Sequence, residues 1–247
     1  MDAVNIALEL AVQDPAGVRI AREVGAARVE LTQALALGGL TPSPATLELA
    51  REAAGESGPE IHVLIRPRAG GFHYDADEIA VSVRDVAWAV ANGADGVVVG
   101  ALDSSGSLDL DAMASLRDAA GGASVTLHRA IDVTADPLST LERAIELGLR
   151  RVLTSGGAST AIDGVDTLRA FVTAAGGRIE IMAGSGVVAA GAVALAATGV
   201  DALHFSAKRA IAAEGAGVRM GSASDGVGGH EVTDRVAAFA VREALGL

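Results

Sequence analysis

The sequence predicts an α/β fold, a single-domain TIM-type (β/α)8 barrel. Three observations support it: eight short apolar segments rich in Val and Ile, a helical segment after each of them, and a length of 247 residues. Alternating strands and helices need crossover connections, which build a parallel sheet. Eight such units in about 250 residues is the usual size of a closed barrel. An open dinucleotide-binding sheet would more often show a G-x-G-x-x-G turn after its first strand, where this chain has AVQDPAG.

The predicted elements follow one another without a linker, so we expect one domain over residues 1–247. Strands are predicted at 6–10, 28–31, 61–66, 96–100, 124–129, 151–155, 178–182 and 202–206. Helices are predicted at 14–25, 44–54, 77–92, 109–119, 136–148, 163–175, 187–197 and 232–245. Asp14-Pro15 and Asp136-Pro137 each supply an N-cap and an N1 proline. A Gly/Ser-rich loop near 215–229 is expected before the final helix.

Polar residues alternate with apolar ones along most of the predicted strands. In a barrel the apolar face of each strand packs under the helices, which leaves the polar face inside. Polar side chains near the carboxyl ends of the strands would then form a solvated pocket, where barrel enzymes place their sites. His62 comes early in its strand and should lie deep. The predicted inward set is Glu9, Glu30, His62, Arg66, His128, Glu180 and His204.

Several of these residues are candidates for acid–base chemistry or for binding an anion. Glu9 or Glu30 would exchange protons with His128, because imidazole titrates near neutral pH. Asp132, four residues after His128, would orient it or cap the next helix. Arg66 and Arg68 flank a proline in IRPRAGGFHYD and are expected to project the same way, as a pair for a carboxylate or phosphate. The alternative for Arg66 is an internal ion pair with a barrel glutamate.

Glycine-rich turns follow the sixth and seventh strands. LTSGG contains Ser155, Gly156 and Gly157, and MAGSGV contains Gly184 and Gly186. Backbone N–H groups in such turns can approach an anion, and many barrels bind phosphate after strands seven and eight. Ser206 follows the eighth strand, and Glu180 and His204 would complete the ligand-binding set. The alternative is that the glycines serve only tight turns.

Composition excludes several function classes. There are 31 acidic against 19 basic residues, a formal net charge of −12 and only six aromatic residues, which argues against nucleic-acid binding. The chain has no cysteine, so it has no disulfide, thiolate nucleophile or Cys-ligated metal. No apolar run is long enough to span a membrane, and we see no signal peptide. We expect a cytoplasmic protein with a small anionic ligand as its partner.

Taken together, the motifs resemble the CutC family over nearly the whole chain. They read LELAVQD, RVELTQALALGGLTPS, IHVLIRPRAGGFHYD, GADGVVVGALDSSGSLD, TLHRAID, RVLTSGGA, RIEIMAGSGV and HFSA. The resemblance implies a TIM-type barrel, a cytoplasmic location, a homodimer and a role in copper homeostasis through copper binding. Family members often carry cysteines, proposed as copper ligands, where this chain has Ala11 and Thr32.

Two functions therefore stay open. The first is copper handling, with copper implied by the family alone. Copper(I) prefers sulfur ligands, and only Met182 is expected to face the interior, so a metal site would need imidazole and carboxylate ligands and would suit Cu(II), Zn or Mn. The ligands of such a metal site would come from His128, His204, Glu9, Glu30 and Glu180.

The second function is that of a barrel enzyme, an isomerase, lyase or aldolase-like protein, acting on a small phosphorylated or carboxylated metabolite.

Overall fold

Eight parallel strands close into a barrel in the computed structural model, which describes residues 6–212 and 229–247. Each strand pairs with the next along the chain, and the eighth pairs with the first. The predicted TIM-type barrel is confirmed. The strands are β1 (Ala7–Val12), β2 (Arg28–Leu31), β3 (Glu60–Leu64), β4 (Gly96–Val99), β5 (Ser124–Leu127), β6 (Arg151–Thr154), β7 (Glu180–Gly184) and β8 (Ala202–Phe205).

A helix follows each barrel strand, and most helices begin at a side chain that caps the helix. Asp14 accepts a hydrogen bond from Gly17 N at 2.7 Å, and Asp136 accepts one from Ser139 N at 3.0 Å. These carboxylates satisfy amides that have no partner within the helix. The helices are α1 (Pro15–Val24), α2 (Pro44–Ala54), α3 (Ala76–Ala91), α4 (Leu110–Ala120), α5 (Pro137–Glu146), α6 (Val165–Ala175), α7 (Ala189–Ala196) and α8 (Arg235–Ala244).

The region after β8 contains a hairpin that the sequence pattern did not predict. Strands β9 (Lys208–Ala212) and β10 (Gly229–Thr233) pair antiparallel, with Thr233 opposite Lys208. Because Thr233 belongs to β10, the last helix starts at Arg235 rather than at 232. Of the predicted loop near 215–229, residues 215–228 lie outside the described residues, and Gly229 begins β10.

The hydrophobic core lies between the barrel and its helices. Alternate strand residues point outward into this layer, among them Leu10, Leu31, Leu127 and Ile181, each at most 1% exposed. The other face of each strand lines the barrel interior, where Leu153, Met182 and Ala202 form only a small apolar cluster. Charged residues occupy much of the rest. No helix within 6–212 and 229–247 has the length and apolar character that crossing a bilayer requires.

Candidate functional site

A pocket of about 580 Å³ opens at the carboxyl ends of the barrel strands. Its wall includes Glu30, Arg66, His128, His204 and Ser206, all five of which the sequence analysis selected. They come from four different strands (β2, β3, β5 and β8) or the residues that follow them, so only the closed barrel brings them together. Catalytic residues of barrel enzymes lie at this end.

Glu9, below the pocket, is the centre of a buried ionic network. One of its oxygens accepts a hydrogen bond from Arg28 Nε at 3.0 Å, and the other lies 2.9 Å from His204 Nδ1. The remaining ring nitrogen of His204 is 3.8 Å from Glu30 Oε2. Parallel pairing explains these contacts, because Glu9 is directly opposite Arg28 on β2 and His204 on β8.

The network sets the charges of its members. Burial favours the neutral form of Glu9, yet the hydrogen bond and charge of His204, with Arg28, hold its pKa far below the usual range. Burial raises the pKa of Glu30, and the charge of Glu9 adds to the effect. Burial opposes the charged form of His204, but Glu30 and Glu9 outweigh it and raise the pKa. Glu30 therefore holds a proton more readily than an ordinary glutamate and lines the pocket, which suits a general acid or base.

Arg66 extends from the end of β3 into the pocket and is 7% exposed. Its Nη1 donates to the carbonyl oxygens of Leu37 and Gly39 at 3.0 and 2.9 Å, and its Nη2 donates to Gly70 O at 2.8 Å. Its buried Nε has no partner in the part of the chain that the structure describes. The alternative interpretation of Arg66, an ion pair with a barrel glutamate, is not met, because the guanidinium donates to carbonyl oxygens of the described residues. The guanidinium instead joins the loops after β2 and β3 and keeps one donor unpaired.

His128, 5% exposed, follows β5, which lies two strands away from β3 in the barrel. Its Nδ1 accepts a hydrogen bond from Ala130 N at 3.1 Å, whereas its buried Nε2 has no partner among the residues that the structure describes. Burial and the charge of Arg66 lower the pKa of His128 to about 3. The ring is consequently neutral at physiological pH. Phe72 packs against it with the two ring centres 4.7 Å apart and also lies 5.4 Å below the Arg66 guanidinium.

Asp132 has a different role from the two predicted for it. Its carboxylate accepts hydrogen bonds from Thr154 Oγ1 at 2.5 Å, Ser155 Oγ at 3.0 Å and Gly157 N at 3.1 Å. It therefore anchors the loop after β6 instead of orienting His128, and Asp136 caps the next helix. Ser155 N and Gly157 N donate to Asp132, so these amides are engaged inside the protein. Gly156 N donates to Thr154 Oγ1 at 2.9 Å.

The turn after β7 borders the pocket. Ser185, Gly186 and Val187 line it, whereas Gly184 is the last residue of β7 and faces His204. Ser185 has a φ of 87°, which is uncommon for a residue with a side chain. Its carbonyl accepts from Ala161 N at 2.9 Å, so the loop after β6 holds this strained conformation.

Six of the ten predicted ligand-binding residues do not line this pocket: Ser155, Gly156, Gly157 and Gly184, described above, and Arg68 and Glu180. Arg68 pairs with Glu78 of α3 at the surface, because β3 ends at Leu64 and the alternation of faces does not continue past Pro67. Glu180 is the first residue of β7 and lies at the other end of the barrel. There it pairs with Arg150 at 2.7 Å and Arg151 at 2.6 Å.

Sequence reasoning missed the apolar part of the wall and one of its cations. Leu64, Leu153 and Phe72 line the pocket, and so does Arg129, which donates to Asp132 at 2.8 Å. Phe72 had a usable signal. It is one of only six aromatic residues in the chain and lies within the motif that contains Arg66, in the loop after the third strand.

The pocket does not suit copper(I). Ala11 lines it without a donor atom, and the hydroxyl of Thr32 donates to Leu40 O at 3.0 Å. Met182 is fully buried, and its sulfur lies 4.0 Å from the cationic Arg28 Nη2, which would repel a metal ion. In the described part of the chain, no three His, Asp or Glu side chains are grouped as a metal site.

The family model, the curated relatives and a solved structure all relate this chain to CutC proteins. The CutC family model matches residues 6–209. Family protein CutC of Xanthomonas campestris pv. campestris (strain 8004) is 50% identical over 208 residues, 84% of this chain and 85% of the relative. That of Xylella fastidiosa (strain Temecula1) is 46% identical over 211 residues, covering 85% and 78%. A solved CutC from Streptococcus agalactiae, described provisionally as a copper homeostasis protein, has a TM-score of 0.77 and 32% identity, covering 81% of this chain and 98% of that one. This chain belongs to the CutC family.

Proposed function

We propose that this protein is an acid–base enzyme that binds a small carboxylated or phosphorylated molecule in the pocket at the carboxyl ends of the strands. The observation that carries the proposal is a pair of buried donors, Arg66 Nε and His128 Nε2, which have no partner among residues 6–212 and 229–247 and belong to the wall of one pocket. An unsatisfied buried donor costs about 1–3 kcal/mol. Oxygen atoms of a ligand would remove that cost at both positions.

The charges around the pocket favour an anion. Arg66, Arg129 and Lys208 line it as cations, and Glu30 and Glu9 raise the pKa of His204 against the effect of burial, which favours its positively charged form. Glu30 is the only carboxylate among the described lining residues. Since Arg66 is buried, its attraction for an anion is screened by water far less than that of a surface arginine.

Glu30 is our candidate for the proton-transferring group. Burial raises the pKa of Glu30 above the ordinary glutamate range, toward the pH at which a general acid or base works, and its place in the wall would bring it within reach of a ligand. Glu9 and His204 are positioning residues in this scheme, because they lie beneath the pocket and their charges influence the protonation of Glu30. The reaction class is an isomerisation, lyase or aldolase-type step.

The experiment is mass spectrometry of small molecules released from the purified protein, followed by calorimetric titration with inorganic phosphate and acetate. Arg66→Lys removes the unpaired Nε, and Arg68→Lys is the matched control two residues away, outside the pocket. We expect anions to be retained by the wild type and by R68K and to be lost from R66K. Equal retention by R66K and R68K, with both variants folded by circular dichroism, would contradict the proposal.

Copper handling is the second candidate, and family membership is the observation that favours it. Without cysteine, binding would fall to imidazole and carboxylate groups such as His128 and Glu30, which suit Cu(II) better than Cu(I). Titration of Cu(I) and Cu(II) against a competing chelator tests it. Failure to bind either ion more tightly than micromolar would remove this candidate.

Family membership also leads us to propose a cytoplasmic location and a homodimer. Sedimentation equilibrium of the full chain tests the homodimer, since a mass near twice 24.6 kDa is expected. Fractionation of cells that express the tagged chain tests the location.

A further inference from the structure

We propose that the ligand of this pocket is a small carbonyl compound with an anionic group, whose carbonyl oxygen accepts a hydrogen bond from neutral His128 while Glu30 removes a proton from the adjacent carbon. The inference rests on the function proposed above and narrows it to one substrate class, 2-oxo acids or hydroxyketone phosphates. Arg66 would hold the carboxylate or phosphate.

The tautomer of His128 follows from its surroundings. A neutral imidazole has one N–H and one bare nitrogen. Nδ1 must be the bare nitrogen, because it accepts the hydrogen bond from Ala130 N at 3.1 Å. The ring proton is therefore on Nε2, the atom that is buried without a partner and belongs to a residue of the pocket wall.

A neutral donor suits a carbonyl oxygen better than a permanent anion. The anion already has buried Arg66, and the same guanidinium disfavours a second positive charge on His128. A carbonyl oxygen is uncharged when the substrate binds and becomes negative as an enolate forms. A fixed N–H aimed at that oxygen gains strength as the charge develops, which is the requirement for catalysis. Neutral histidine beside a glutamate base is a known arrangement for this chemistry.

The His128 ring is held rigidly enough for such a role. The Ala130 hydrogen bond fixes one edge, and Phe72 packs against the ring with centres 4.7 Å apart. Gly100 fixes another side, since a Cβ atom there would lie 2.5 Å from His128 Nδ1. Only glycine leaves room for the ring at this position. Leu64 and Leu153 make neighbouring parts of the wall apolar, which strengthens the electrostatic interactions.

The proposed step balances without a further reactant. The C–H bond next to the carbonyl breaks, and its proton goes to a carboxylate oxygen of Glu30. The electron pair forms a C=C bond, while the π electrons of the carbonyl move to its oxygen, which accepts from His128 Nε2. Return of the proton from Glu30 to the same carbon re-forms the C–H bond, the electron pair on oxygen re-forms the C=O bond, and the carboxylate is regenerated.

The test is hydrogen exchange into three carbonyl compounds in D2O, followed by proton NMR: pyruvate, 2-oxobutyrate and dihydroxyacetone phosphate. Lactate, 2-hydroxybutyrate and glycerol 3-phosphate match their anionic groups but have no carbonyl. We expect tighter binding of the carbonyl member of at least one pair, and exchange that Glu30→Gln slows by at least about 10²-fold with binding retained. His128→Ala should slow it by about 10²–10³-fold. Arg68→Lys is the unchanged control.

The outcomes separate this inference from the proposed function. If every carbonyl compound binds like its hydroxyl partner and none exchanges above the rate in buffer, the carbonyl assignment is overturned. If, in that case, the carbonyl compounds and their hydroxyl partners both bind to the wild type and neither binds to Arg66→Lys, the proposed anion site is still supported. If no compound of either kind binds, both proposals fail. Exchange that persists in Glu30→Gln would overturn the role of Glu30.

Discussion

The buried carboxylate of Glu9 offers the sharpest test of how the barrel interior is stabilised. Glu9 is 0% exposed and contacts both Arg28 and His204 as their shared carboxylate partner. The variant Glu9→Gln keeps the shape of the side chain but removes its charge, which leaves a buried guanidinium without a counterion. Removing one partner of a buried ion pair costs about 3–5 kcal/mol. The entropy of unfolding of a chain of this length is about 0.5 kcal/mol/K. Dividing the loss of stability by this entropy, we expect the melting temperature to fall by about 6–10 °C.

Urea unfolding at pH 7 and differential scanning calorimetry measure the change. Glu60→Gln is the matched control, because Glu60 also accepts from a barrel histidine, His62 at 3.1 Å, but its side chain is 59% exposed. We expect that variant to stay within about 0.5 kcal/mol of the wild type. In the double variant Glu9→Gln/Arg28→Met, much of the loss should be recovered, since no buried guanidinium remains. A loss below 1 kcal/mol in Glu9→Gln, or an equal loss in Glu60→Gln, would refute the reasoning.

Three further predictions concern His128, the anchor of the loop after β6 and the glycine that packs against the His128 ring. The pKa of His128 is about 3 in the folded state, below its ordinary 6.5, so the unfolded chain takes up a proton first as the pH falls. The free energy of unfolding should therefore fall by about 3 kcal/mol by pH 4. Chemical unfolding of His128→Gln across this range should show a flatter pH dependence. Asp132→Asn removes acceptors for the loop after β6 and should cost about 2–3 kcal/mol in urea unfolding, with faster amide exchange at Ser155 and Gly157. Gly100→Ala should cost about 1–3 kcal/mol in the same assay by displacing His128, whereas Gly122→Ala, which meets open space, should change little.

The direction of the barrel side chains was predictable because alternation along a strand is a local property. Glu9, Glu30, His62, His128 and His204 face the interior as their positions indicated. His62 is fully buried, as expected for a residue early in its strand. The height of a side chain along the barrel axis was harder to predict, because it depends on the residue at which each strand begins in the closed sheet. β7 starts at Glu180 instead of 178, which leaves that carboxylate at the amino end, away from the pocket.

The loops were harder to predict, because their conformation depends on partners far away in the sequence. The motif around Arg66 was found, yet nothing local indicated that its guanidinium would bind carbonyl groups of the preceding loop at Leu37 and Gly39. Arg68 shows the same limit, since the bend after β3 turns it toward Glu78. Asp132 reaches over to residues 154–157, a contact that only the packed barrel creates.

The charged interior of the barrel has a consequence for how the protein responds to its medium. Dissolved ions screen exposed pairs such as Arg143–Glu146, whose side chains are both more than half exposed. They hardly reach Glu9 and Arg28, with side chains 1% and 8% exposed. Rising ionic strength should thus weaken the electrostatics of the outer helices while the inner network keeps its strength. The protonation pattern beneath the pocket is for that reason a property built in by the strand register, largely independent of how salty the surrounding solution becomes.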